Sequence, residues 1–255
     1  MARRQVRLRV AAVMLRKLLA AGVALALLAS LVPACAAEVA NPPAVYEQRA
    51  PSADGIGKRY MGREISQVMG WQGAAWLERE EREREERTDL LLSELALKPG
   101  MVVADVGAGT GYIARRMATQ IAPAGVVYAV DVQPEMIRLL ESLAAQAKLP
   151  QIRPVLGAVD DVRLPAASID LAIMVDVYHE LEFPREVLAS IVRALKPRGR
   201  VVFVEYRAED PRVPIKALHK MSEAQVRHEA GVLALTWERT ARSLPWQHVV
   251  VFRKP

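Results

Sequence analysis

Residues 104–112 read "ADVGAGTGY": an apolar run closed by an aspartate, then glycines at positions 107, 109 and 111. Glycine tolerates positive φ and lets the backbone approach other groups closely. The spacing therefore predicts a tight turn from a strand ending at Asp105–Val106 into a helix starting at Tyr112. A phosphate-cradling Walker loop needs Gly-Lys-Ser/Thr at its end, whereas Gly111 is followed by Tyr112 and Ile113. Gly109-x-Gly111-x-x-Ala114 does satisfy a dinucleotide fingerprint, with Asp131 placed for ribose hydroxyls. Asp105 tilts the reading away from a pyrophosphate, because an anion beside the turn repels one and attracts an ammonium or sulfonium.

Outward from this turn, apolar runs of strand length recur at Val102–Val106, Val126–Val130, Ile152–Leu156, Leu171–Val175 and Val201–Glu205. Helical patterns at Ile113–Ile121, Pro134–Leu149 and Pro184–Leu195 lie between most of them. Such alternation, with runs too uniformly apolar for a one-sided sheet, predicts a parallel sheet covered on both faces. "LKPG" (97–100) and "LKPRG" (195–199) read as helix exits before the first and fifth runs. Ser222 with Gln225 suits a capping box. The strand-like runs Val232–Arg239 and Trp246–Arg253 then follow without a helix between them, which predicts an antiparallel pair.

The 255-residue chain has a net charge of +6, but the charge is uneven. Residues 1–37 hold six of the 35 basic residues and none of the 29 acidic ones, so the remainder is balanced. A neutral body lacks the electrostatic footprint of a nucleic-acid binder. The six charges precede the apolar Leu18–Val32 and the small residues Ala34-Cys35-Ala36, the pattern of an export leader. An uncleaved anchor or a lipidated Cys35 are the alternatives, and basic flanks that stay cytoplasmic put the body outside in each case. A start at Met61 would omit the leader. Cys35 is the sole cysteine, so the body has no disulfide or cysteine nucleophile.

Residues 38–62, rich in Pro, Gly and Ala, read as a linker, and residues 63–98 as a helical lid. In that lid Glu78/Arg82, Glu80/Arg84 and Glu83/Arg87 fall four apart, acid first, which predicts a solvated helix face. Trp71 and Trp76 are its candidate packing or lid residues.

"VVADVGAGTGY", "VVYAVDVQPEMI", "LPAASIDLAIMVDVYHEL" and "LKPRGRVVFVEY" together resemble the successive motifs of class I S-adenosylmethionine-dependent methyltransferases, over about residues 88–206. The resemblance implies an α/β fold: a Rossmann-like, doubly wound, mostly parallel seven-stranded sheet with an antiparallel C-terminal hairpin, here preceded by N-terminal helices. It implies S-adenosyl-L-methionine as cofactor, with Asp105 and Gly107 near its amino group, Ala108, Gly109 and Gly111 backing it, and Asp131 on the ribose. For the adenine, relatives of the quinone-biosynthesis type often carry Gly-Asp-Ala, whereas this chain has Gly157-Ala158-Val159-Asp160-Asp161. Asp160 or Asp161 then becomes the candidate acceptor of the adenine amino hydrogens, with Val132 and Val162 flanking the ring.

Ligands in such sheets bind at the carboxyl ends of the strands, which makes the segments after the fourth and fifth runs the transfer-site candidates. Asp176, Tyr178 and His179 are the candidate catalytic residues, and Glu180, Glu205, Tyr206 and Arg207 the candidate substrate contacts. No metal is expected, since none of His179, His219, His228 and His248 is paired at helix metal spacing. The expected protein is an exported or membrane-tethered methyltransferase acting on an unidentified small-molecule or protein acceptor. A catalytically inactive cofactor- or nucleoside-binding protein and a nicotinamide oxidoreductase are the rivals.

Overall fold

A computed structural model of the chain describes residues 45–255. The leader, the anchor alternative and Cys35 lie outside the described residues. Among the described residues, no helix is long and apolar enough to cross a membrane.

The described residues form ten strands, β1 (Tyr46–Gln48), β2 (Gly55–Tyr60), β3 (Arg63–Ser66), β4 (Val102–Val106), β5 (Val126–Asp131), β6 (Ile152–Leu156), β7 (Ile169–Val175), β8 (Leu195–Tyr206), β9 (Thr236–Ala241) and β10 (Gln247–Arg253). Their helices are α1 (Ala74–Leu77), α2 (Arg82–Glu86), α3 (Thr88–Leu95), α4 (Tyr112–Ile121), α5 (Pro134–Gln146), α6 (Pro184–Ala194) and α7 (Glu223–Ala230). Seven strands make one sheet in the order β6-β5-β4-β7-β8-β10-β9. The first five are parallel, and β10 is antiparallel to both β8 and β9. The order reverses between β4 and β7, so the carboxyl ends of these strands open a crevice there. This is the Rossmann-like sheet with an antiparallel C-terminal hairpin.

The apolar runs are continuous because each strand feeds two cores. Val103, Leu171, Ile173, Val202, Val204, Val249 and Val251 pack against α3, α4 and α5. Their neighbours Ala104, Ala172, Met174, Val201, Phe203, Val250 and Phe252 pack against α6 and α7. Alternation by one residue sends successive side chains to opposite faces, and both faces are covered.

Two expectations need correction. The segment expected as a linker instead contains β1 and β2, which join β3, from the start of the expected lid, in an antiparallel three-stranded sheet. Gly62, at φ 90°, makes the turn from β2 to β3, and Gly57, at φ 75°, sits inside β2 where its pairing to β3 shifts register, so the glycines that suggested a tether serve the sheet. The sheet is pinned to the main domain by Arg63, whose Nε donates to Glu229 at 2.8 Å and whose Nη1 donates to the His179 carbonyl at 2.8 Å.

The charged stretch is also not one solvated helix. Arg87 breaks it at φ 51°, separating α2 from α3. Arg82 and Glu86 are buried and paired at 2.8 Å, with the Arg82 guanidinium 4.2 Å from the centre of the Tyr112 ring. Glu78 pairs with Arg115 of α4 rather than with Arg82. The runs at the end shift slightly: β9 starts at Thr236, and β8 already starts at Leu195, with an irregularity in its pairing to β7. Ser222 Oγ caps α7 by accepting from Gln225 N at 3.1 Å, but the Gln225 amide turns to Met61 and Glu229, so the box is half-formed.

Candidate functional site

The loop 107–111 connects β4 to α4 with all three glycines at positive φ, 72°, 54° and 80°. A Cβ at Gly107 would stand 2.5 Å from Val177 Cγ1, one at Gly109 2.6 Å from Leu77 Cδ1, and one at Gly111 3.0 Å from Leu140 Cγ. What the bared backbone approaches is thus first the protein's own side chains. Gly107 and Gly109 nevertheless face a cavity of about 630 Å3 at the crevice, a size typical of small-molecule sites.

Asp131, at the end of β5, is buried and lies on the cavity wall. Its Oδ2 accepts from Gly109 N and its Oδ1 from Gln133 N, both at 2.9 Å. The carboxylate therefore sets the glycine loop against the start of α5, and each oxygen retains a lone pair for a hydroxyl. Burial raises its pKa, although the backbone donors oppose the shift.

Asp105 lies beneath the loop and off the wall, with a buried Oδ2 that has no partner. Burial pushes its pKa up to about 7, against the pull of Arg82. Such a carboxyl can act on a cation only through space or through water, not by lining its pocket. Ala108 and Gly111 are also off the wall, where Gly111 starts α4 in the left-handed region.

After β6 the wall is formed by Ala158, Val159 and Val162. Asp160 and Asp161, the expected adenine acceptors, are not part of it. Asp161 accepts from Arg163 N at 2.6 Å and pairs with Arg193 at 2.9 Å, so its side chain is committed to closing its own turn. Val132 and Val162 do line the cavity as expected.

On the transfer side, Asp176, His179, Glu180 and Tyr206 line the cavity. Asp176, strained at φ 54°, accepts from Gln247 Nε2 at 3.1 Å and leaves Oδ1 buried without a partner. Its pKa is raised well above the usual range by burial, with Glu86 and Glu205 nearby adding to the shift. His179 is buried, with Nδ1 2.6 Å from Glu205 Oε2. Burial lowers the His179 pKa, but Glu205 outweighs it and the net direction is up. Glu180 accepts from Met69 N at 3.1 Å, and burial raises its pKa to about 7.

Three expected contacts are displaced. Tyr178 is fully buried in the α6 face core, its ring 4.9 Å from that of Phe203 in edge-on geometry. Glu205 stands behind His179 and also accepts from Tyr178 N at 2.9 Å, so it positions the turn rather than touching a ligand. Arg207 donates to the carbonyls of Leu244, Pro245 and Gln247 and ties β8 to the loop before β10.

Ile56, Ser66 and Met69, from the segment around the small sheet, line the wall without any signal in the sequence, whereas Lys216 and His219 come from the segment after β8 that the sequence places at the crevice edge. Of the lid candidates, Trp76, Leu77 and Arg82 are on the wall. His219 stacks edge-on against His179 with ring centres 5.2 Å apart.

Comparisons with known proteins agree with this geometry. Residues 104–203 match the family model described as "Methyltransferase domain". The chain is 27% identical over 124 residues to a ubiquinone/menaquinone biosynthesis C-methyltransferase of Bordetella parapertussis, covering 48% of each protein. It is 30% identical over 114 residues to nocamycin O-methyltransferase of Saccharothrix syringae, covering 44% of this chain and 40% of that one. The chain thus spans less than half the length of these curated relatives. The fold matches a crystal structure of a SAM-dependent methyltransferase from Aquifex aeolicus with a TM-score of 0.70 at 22% identity, covering 74% of this chain and all of that one. Residues 104–203 are thus similar to a methyltransferase domain, and the fold is one that solved methyltransferases share.

Proposed function

We propose that the protein is an S-adenosylmethionine-dependent methyltransferase working outside the cytoplasm, exported or tethered by its N-terminal segment. The observation that carries the activity is Asp131, a buried carboxylate on the cavity wall that also holds Gly109 of the glycine loop. A donor nucleoside fits this arrangement: Asp131 accepts from ribose hydroxyls, and Val132, Ala158, Val159 and Val162 supply the apolar walls an adenine needs. The orphaned Asp105 carboxylate beneath the loop favours the positive end of the same ligand by through-space attraction.

When bound, S-adenosylmethionine supplies a methyl group on a sulfonium, which transfers by in-line displacement. The chain then has mainly to align the acceptor and exclude water. His179, Glu180, Asp176 and Tyr206 form the acceptor side of the cavity, with Glu205 fixing the His179 ring. The leader supports export because its basic and apolar regions keep the order that secretion requires. An extracytoplasmic site also requires that the donor be delivered to that compartment.

The test is transfer of labelled methyl from S-adenosylmethionine to extracts of the native compartment by the full chain, with mass spectrometry of the mature N-terminus. Label transfer by a chain processed near Ala36 supports both parts. Donor binding without transfer to any extract favours the inactive binding protein instead, and an intact N-terminus in the cytoplasmic fraction removes export.

A further inference from the structure

We propose that His179, Glu180 and His219 form a binding site for one divalent transition-metal ion of the zinc and ferrous class, opening on the cavity. One candidate ligand atom from each of the three residues lies within 4.8 Å of the others. A metal bonded to nitrogen and oxygen at about 2.0–2.2 Å in tetrahedral geometry holds such atoms about 3.3–3.6 Å apart, so side-chain rotation that draws them together by up to about 1.5 Å completes the set. The residues come from two separate segments, the turn after β7 and the short 3-10 turn Ala217–His219 after β8. The site is thus assembled by the fold, and no local motif announces it.

The surroundings are those of a ligand set. His179 Nδ1 is bound to Glu205 Oε2 at 2.6 Å, which leaves Nε2 as the nitrogen available to the cavity. A carboxylate behind a ligating imidazole fixes its tautomer and orientation, and Glu205 is itself fixed by Tyr178 N. Glu180 is oriented by Met69 N through one oxygen. Nearby, Asp176 keeps a buried oxygen without a partner. The flanking cations are engaged elsewhere: Arg63 with Glu229 and the His179 carbonyl, and Lys216 with Asp54. A divalent cation would offset this concentration of buried acid.

Two imidazoles and one carboxylate select zinc, ferrous iron or cobalt rather than magnesium or calcium, which prefer all-oxygen shells. Three protein ligands leave further positions open, as in catalytic rather than structural metal sites. All three side chains line the cavity, so the open positions take a donor atom from whatever occupies it.

The experiment uses the untagged full chain, stripped with a chelator and titrated with Co2+ and then Zn2+, with no methyl donor present. The expected result is one equivalent of Co2+ giving visible ligand-field bands that Zn2+ abolishes. His219→Asn should weaken binding at least about tenfold, and Glu205→Gln about 10–100-fold as the loss of a ligand's supporting carboxylate. The exposed His228→Gln should leave binding unchanged. Thermal melts of the metal-free variants establish that each is folded. The proposal is overturned if the stripped chain takes up neither ion, or if His219→Asn and Glu205→Gln bind as wild type. Because the readout involves no methyl donor, either outcome is separate from the donor site.

Discussion

Gly107→Ala tests whether the glycine loop is shaped by the protein's own packing. Its φ of 72° places a non-glycine residue in the left-handed region, at about 1–2 kcal/mol. The new Cβ would meet Val177 Cγ1 and Cγ2 at 2.5 and 2.6 Å, an overpacking that costs about 1–3 kcal/mol. The loss should therefore be about 2–5 kcal/mol, read from urea unfolding as a lower midpoint at constant slope. Val177→Ala removes both clashing methyls and leaves only the Val177 Cβ, at 3.1 Å. In the double variant the overpacking disappears and the dihedral cost stays. The cycle should show the pair destabilised less than the sum of the singles by about 1–3 kcal/mol. Strict additivity, or a Gly107→Ala loss below about 0.5 kcal/mol, would refute the packing argument.

Three further outcomes follow from the same structure. Glu86→Ala leaves the guanidiniums of Arg79 and Arg82 without their shared carboxylate; it should cost about 3–5 kcal/mol in denaturant unfolding, where a solvated helix pair would cost about 0.3–0.5 kcal/mol. Asp105 has a folded pKa of about 7, raised from 3.8. Its contribution is fully present below the unfolded value and is lost as pH rises through 7. Asp105→Asn should therefore flatten the fall in stability between about pH 4 and 7 relative to wild type, and an unchanged slope counts against the buried carboxyl. Val159→Asp, on the cavity wall, should weaken S-adenosylhomocysteine binding at least about tenfold in calorimetry, whereas Asp161→Ala should leave it within about twofold; the reverse order would restore Asp161 as the adenine contact.

What could be read from the sequence was what local periodicity encodes. Strands feeding two cores appear as unbroken apolar runs, and the Gly107-x-Gly109-x-Gly111 turn shows in its spacing, so the sheet and Asp131 were legible. The small sheet was not, because β1 to β3 are short and partly exposed, and their connections and strands carry the Pro, Gly and Ala that tethers share. Glu78 and Arg82 mislead for a related reason: four-residue spacing suggests a pair on a solvated face, whereas Arg82 is buried against Glu86 and the Tyr112 ring and Glu78 turns to Arg115. Asp160 or Asp161 reads as the adenine contact because a sequence does not show that Asp161 is engaged by Arg163 N and Arg193. His219 could not be joined to His179 across 40 residues without knowing how the loop after β8 folds back.

The central claim rests on the cavity between the glycine loop and Asp131 holding the donor nucleoside. Calorimetric titration of the full chain with S-adenosylmethionine, repeated on Asp131→Ala with its folding checked by thermal melt, tests it most directly. The account predicts one site per chain, competed by S-adenosylhomocysteine and weakened at least about tenfold in the variant, as loss of hydrogen bonds from a buried carboxylate implies. No binding to the wild-type chain, or equal binding by the folded variant, would contradict it.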